Sequence, residues 1–154
     1  MRLVPAGTDN AITVCIKDSL MTDLLHEKIG EIAGRKPLLS VIALREGTVL
    51  FLTMRGEVDM HTIGVLEEAI TVGLAGGVCT DLVADMSETP FVDSTGYGVF
   101  LGAMQTLRMR GSGRVYLAAC QPAVARMIQV ARLNRVFAVC DSVAAAREAL
   151  AALG

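Results

Sequence analysis

The chain predicts an α/β domain: a mixed, partly parallel sheet of about four to five strands covered by about four helices. Three observations carry this. Short apolar runs with β-type composition alternate with segments whose apolar residues recur every three or four positions. Glycine-rich breaks separate many of these segments. The 154 residues, 53% of them hydrophobic, suffice for one domain with a real core but hardly for two.

The elements follow in order. From Ser40, the run S-V-I-A-L-R-E-G-T-V-L-F-L-T-M-R-G-E-V-D reads as two strands around a turn at Glu46-Gly47, hence a hairpin. Asp59 is a candidate N-cap for a helix in which Ile63, Leu66, Ile70 and Leu74 share a face, closed by Gly76-Gly77. Leu82 to Met86 is a buried strand, with Pro90-Phe91-Val92 following a polar corner. The next helix carries Tyr97, Phe100, Leu101, Met104 and Leu107 on one stripe and breaks at Gly111-Ser112-Gly113. Val115 to Ala119 is a further strand. Pro122 then fits a first helical position, with Val124, Met127, Ile128 and Ala131 at helical spacing. Val136 to Val139 is a last short strand, and Asp141-Ser142 opens an alanine-rich helix to Leu153.

Residues 1–37 read as an N-terminal extension to a domain at 38–154. Ile12 to Ile16 alternates weakly as a strand. Met21, Leu25, Ile29 and Ile32 share one face of a helix begun at Asp18 or Ser19, and Gly34 to Pro37 forms the joint. That helix either packs on its own domain or serves a homodimer or partner contact.

Composition excludes several classes. A net charge of −2 gives no electrostatic footprint for nucleic acid, and Arg108, Arg110 and Arg114 do not create one. The longest apolar run, Ala69 to Cys79, contains three glycines and one threonine and falls short of the roughly 18 residues a membrane helix needs. No secretory signal is expected at the N-terminus. Cys15, Cys79, Cys120 and Cys140 form neither a C-x-x-C pair nor a metal-ligand spacing, so they read as small hydrophobes in a reducing, cytoplasmic setting.

The chemistry-bearing stretch is P-F-V-D-S-T-G-Y-G, Pro90 to Gly98. Its D-S-T-G has the look of an aspartic protease motif, but the spacing is off by one residue and no second carboxylate copy accompanies it. Gly96-x-Gly98-x-x-x-Gly102 suggests a dinucleotide loop only weakly, because Tyr97 and Phe100 crowd it, and no P-loop pattern occurs. A hydrolase built on Ser94 would need a base, and the histidines are His26 and His61 alone. The remaining reading is a hydroxyl at a helix N-terminus, where free backbone N–H groups and the helix dipole favour an anion such as a phosphate on Ser94. Asp93 or Ser94 simply capping the helix is compatible with it.

Taken together, G-E-V-D-M-H-T (56–62), D-M-S-E-T-P-F-V-D-S-T-G-Y-G-V-F-L-G (85–102), G-S-G-R-V-Y-L and Q-P-A-V-A-R-M-I-Q-V-A-R-L-N-R-V-F resemble the STAS domain family, specifically the bacterial anti-sigma factor antagonists. The resemblance runs from about Ser40 to Leu153 and implies the STAS fold. It implies phosphorylation at Ser94, with Thr95 the secondary hydroxyl, and a partner-binding site of Asp59, Asp93, Ser94, Thr95 and Gly96. It further implies an anti-sigma factor of the serine kinase type as partner, a serine phosphatase that reverses the modification, and no enzymatic activity, cofactor or metal. The competing use of the same scaffold is a sensor or assembly subunit of a larger signalling complex. Two positions depart from the family pattern. Arg132 stands before Leu133 where glycine is usual, and Tyr97 replaces a leucine, a change expected to enlarge or shield the partner face.

Overall fold

The computed structural model describes residues 2–5, 11–16 and 38–153. The helix expected near residues 18–32 and the joint at 34–37 lie outside the described residues. Among the described residues one sheet of seven strands runs in sequence order: β1 (Arg2–Pro5), β2 (Ala11–Ile16), β3 (Leu39–Glu46), β4 (Val49–Gly56), β5 (Asp81–Glu88), β6 (Arg114–Ala118) and β7 (Ala138–Cys140). Helices α1 (Ile63–Leu74), α2 (Ser94–Arg108) and α3 (Pro122–Val130) connect β4 to β5, β5 to β6 and β6 to β7 in turn, and α4 (Val143–Leu153) closes the chain.

β3 and β4 form the expected antiparallel hairpin, and β4 through β7 are parallel neighbours. β1 and β2 extend the sheet beyond β3: β2 lies parallel to β3, and β1 antiparallel to β2. The weak alternation around Ile12 to Ile16 found one of these strands; Arg2–Pro5 carries no such pattern.

Alternation along each strand divides the core in two. Leu52, Leu82 and Leu117 face α1 through α3 and pack with Leu66, Ile70, Phe100 and Ile128. Phe51, Val83 and Tyr116 face the other way, beneath Ala146 and Leu150 of α4. α4 is pinned there by Arg147, whose guanidinium sits 4.1 Å from the centre of the Phe51 ring and 2.6 Å from the Glu46 carboxylate. At the N-terminal ends of the parallel strands, buried Asp81 accepts from Ser112 Oγ at 2.6 Å, Thr80 Oγ1 at 3.1 Å and the Arg114 N–H at 3.3 Å. That carboxylate is a structural tie.

Several sequence-based boundaries shift. The helix after β4 begins at Ile63, because Asp59 turns the chain before the helix rather than capping it. The final strand is Ala138–Cys140, since Leu133–Arg135 form a 3-10 turn that draws Phe137 into the core. Met127 is not a core residue: α3 buries only Val124 and Ile128.

Candidate functional site

The site is built where the C-terminal ends of β4 and β5 run into loops, the end of a parallel sheet at which ligand sites usually form. β4 ends at Gly56, whose φ of +121° and approach to Leu38 leave no room for a side chain: a Cβ there would lie 2.0 Å from the Leu38 carbonyl oxygen. The chain therefore turns sharply into Glu57-Val58-Asp59. Val58 pairs with Val92 as a parallel bridge, with the Val58 N–H donating to Phe91 O at 2.9 Å and the Asp93 N–H to Val58 O at 3.0 Å. Two stretches distant in sequence, 56–62 and 90–96, thus become one surface.

Asp93 is the N-cap of α2. Its extended backbone (φ −89°, ψ −179°) aims the carboxylate back at the helix, where it accepts from Thr95 N at 3.0 Å and Gly96 N at 3.2 Å, and from the Thr95 hydroxyl. The Met60 N–H, from the neighbouring loop, adds a further hydrogen bond. The Thr95 hydroxyl, with the Gly96, Thr95 and Met60 N–H groups behind it, outweighs the partial loss of solvent and holds this carboxyl below its ordinary value.

Asp59 does the same work on its own loop. Its carboxylate accepts from His61 N at 2.8 Å and Thr62 N at 3.1 Å, while its N–H donates to Thr62 Oγ1 at 3.0 Å. The single proton of buried Thr62 Oγ1 goes to Glu57 O at 2.8 Å, the nearer of its two acceptors. Asp59 and Asp93 are therefore rigid, backbone-anchored anions on adjacent segments.

Ser94 occupies the first helical position and is exposed, and its hydroxyl holds no hydrogen bond among the described residues. Thr95 is exposed too, but its hydroxyl is engaged by Asp93. Gly96 is buried against the bridge: a Cβ would fall 2.6 Å from Val92 Cγ1 and 2.8 Å from Val58 Cγ1. The expectation of a free anion cradle at this helix end is corrected, because Asp93 already takes the N–H groups of Thr95 and Gly96. Tyr97 does not shield the surface, being only 5% exposed. His61 is tied through its backbone to Asp59, and among the described residues no hydrogen bond joins it to Ser94.

Two residues that pattern reading missed are exposed on the two bridged loops: Met60 is 71% exposed and Phe91 49% exposed. Both sit in loops, where periodicity says nothing of burial. Among the described residues no cluster of histidine, cysteine or carboxylate side chains could hold a metal ion, and no helix is long and apolar enough to cross a membrane. Burial raises the thiols of Cys79, Cys120 and Cys140, Cys120 to about 11, which favours their protonated form at neutral pH.

The STAS domain model matches residues 40–146, a span that includes both loops, the Ser94 helix and α3. The chain belongs to the STAS domain family. Within that family, the anti-sigma-B factor antagonist of Listeria monocytogenes is 33% identical over 85 residues, which cover 54% of this chain and 72% of the relative. Among solved structures, an anti-sigma factor antagonist from Mycobacterium paratuberculosis aligns with a TM-score of 0.64 and 25% identity over 72% of this chain and 92% of its own. The Bacillus antagonist SpoIIAA shares the STAS fold at 21% identity, with TM-scores of 0.61 for its unphosphorylated form (72% of this chain, 96% of its own) and 0.55 for its phosphorylated form (74% and 99%). The five strands at residues 38–153 and their four helices are the STAS architecture expected from the sequence.

Proposed function

We propose that this protein is an anti-sigma factor antagonist that binds its anti-sigma factor when Ser94 is unmodified and releases it when Ser94 is phosphorylated. The observation that carries the reading is the hydroxyl itself. Ser94 is exposed and unengaged at the start of α2, while the side chains of Asp59, Asp93 and Thr95 beside it are committed to holding the loops. A kinase would reach it without unfolding anything. The phosphate would bring about −1.5 to −2 charges beside Asp93, whose carboxylate already accepts from the Thr95 and Gly96 N–H groups. The new charge is thus left facing outward, where it repels an acidic or apolar partner surface.

Asp59, Asp93, Thr95 and Gly96 set the shape of the contact, and exposed Met60 and Phe91 supply its apolar part. The partner is an anti-sigma factor of the serine kinase type, a serine phosphatase restores the binding form, and the protein acts in the cytoplasm as a switch rather than as a catalyst. Residues 38–154 form the switching domain and residues 1–37 its extension. Phosphopeptide mapping of the protein from its native cells, growing and stressed, tests this. Phosphate on Ser94 in one state and not in the other is expected; an unmodified Ser94 in both states defeats the proposal.

A further inference from the structure

The charge of this chain is unevenly spread. Residues 94–140 hold six of its 14 lysines and arginines and none of its 16 acidic residues. Three of these arginines, Arg126, Arg132 and Arg135, are exposed on α3 and the 3-10 turn that follows, and among the described residues their guanidinium groups form no ion pair. Met127 and Val130 lie on the same outward side of α3, Val130 standing four residues from Arg126 and three from Met127, and Val136 continues it towards β7. Val130 is 74% exposed and Met127 51% exposed, although α3 needs only Val124 and Ile128 for its own packing. Arg132 occupies the left-handed region at φ 57°, a conformation that disfavours any side chain bearing a Cβ.

We infer that this face, aliphatic at its centre and arginine at its rim, docks an acidic amphipathic helix of a partner protein. The charge on the face selects the occupant. Unpaired arginines beside exposed aliphatic side chains match glutamates or aspartates flanking leucine-type residues at helical spacing. A nucleic acid would leave the valines and methionine unused. The face carries no Trp, Phe or Lys of the kind that anchors an interfacial helix.

The face is also separate from Ser94. α3 starts at the Ser94 end of the sheet, where Gln121 Nε2 donates to Ser87 O at 2.9 Å, and its nine residues carry the chain about 13 Å back towards the opposite end. Docking here is therefore independent of the phosphorylation reading.

The test is a titration of the full chain, labelled with nitrogen-15, with a capped peptide of about 18 residues, long enough to form a helix, bearing a leucine stripe flanked by glutamates. Saturable binding is expected, with amide shift changes confined to residues 123–139. It should weaken at least about tenfold in the Arg132→Glu/Arg135→Glu double variant and fall with added salt. Ser94→Asp should bind as the parent does. Arg132→Gly should also bind more weakly while melting no lower than the parent, which separates loss of docking from loss of fold. The inference is overturned by no binding, by shifts centred elsewhere, by equal affinity for the same leucine stripe flanked by lysines, or by preferred binding to phosphatidylglycerol vesicles or duplex DNA. Self-association through the same residues, read by sedimentation, overturns it in favour of a second copy as occupant.

Discussion

Val58 and Val92 form a single parallel bridge that ties the loop after β4 to the loop after β5, with Gly96 pressed against both side chains. The bridge lies outside the regular strands, so these few backbone hydrogen bonds and one close apolar contact set the relative position of Asp59 and Asp93. Small changes at this contact should be felt at the surface.

Gly96→Ala is the sharpest of them. Its Cβ would arrive within 2.8 Å of methyl groups on both valines, so α2 must lift or the bridge must open. Overpacking of this kind costs about 1–3 kcal/mol. Urea unfolding should show that loss, and amide exchange at Val58 and Asp93 should quicken. A variant as stable as the parent with both amides still protected would show that the contact is loose.

Asp93→Ala should cost about 1 kcal/mol, the usual value of a side-chain N-cap. The pH dependence has a definite sign. Because Asp93 titrates below its ordinary 3.8, its contribution is present above that value and is lost as pH falls through the lower folded value. Asp93→Asn retains an accepting oxygen but no charge. Its stability near neutrality should fall only slightly, and the acid loss measured by urea unfolding should be shallower than in the parent. Parallel curves for the two proteins would contradict the assignment.

Much of this was readable in the sequence, for local reasons. The alternation of strands and helices is written in periodicity, and Asp93 as a cap follows from one residue's chemistry beside a helix start. What could not be read depends on contacts distant in sequence. Nothing in D-S-T-G says that its aspartate will use up the helix donors, or that Met60 will contribute an N–H from a segment more than thirty residues earlier. Helical spacing placed Met127 on the core stripe because steps of three and four serve two overlapping faces, and only packing chooses between them. Val136 and Phe137 looked like strand because a short apolar run fits a strand and a buried turn equally well.

Tyr97→Phe should be neutral or stabilising. The Tyr97 hydroxyl is buried without a hydrogen-bond partner among the described residues, an arrangement that costs about 1–3 kcal/mol. Burial, helped by neighbouring Cys120, pushes its pKa up to about 12 from 10.0. For a raised phenol the neutral form is the folded one. Its contribution is therefore complete below pH 10.0 and is lost as pH rises towards about 12. The phenylalanine variant should lose less stability over that interval in alkaline denaturation. Marked destabilisation at neutral pH would show that the hydroxyl has a partner after all.

Ser94→Ala separates the switch from the scaffold. Since the hydroxyl is exposed and bonded to nothing among the described residues, its removal should change stability by no more than about 0.5 kcal/mol. Ser94→Asp adds a charge that the helix dipole favours but that neighbouring Asp93 opposes, so it too should melt close to the parent. Thermal unfolding of the three proteins at one pH and salt concentration measures this. If either variant melted far below the parent, the hydroxyl would be holding the fold, and the partner effects expected of both variants would reduce to damage. If all three melt together, any difference in partner binding between alanine and aspartate at position 94 reports the added charge at the surface.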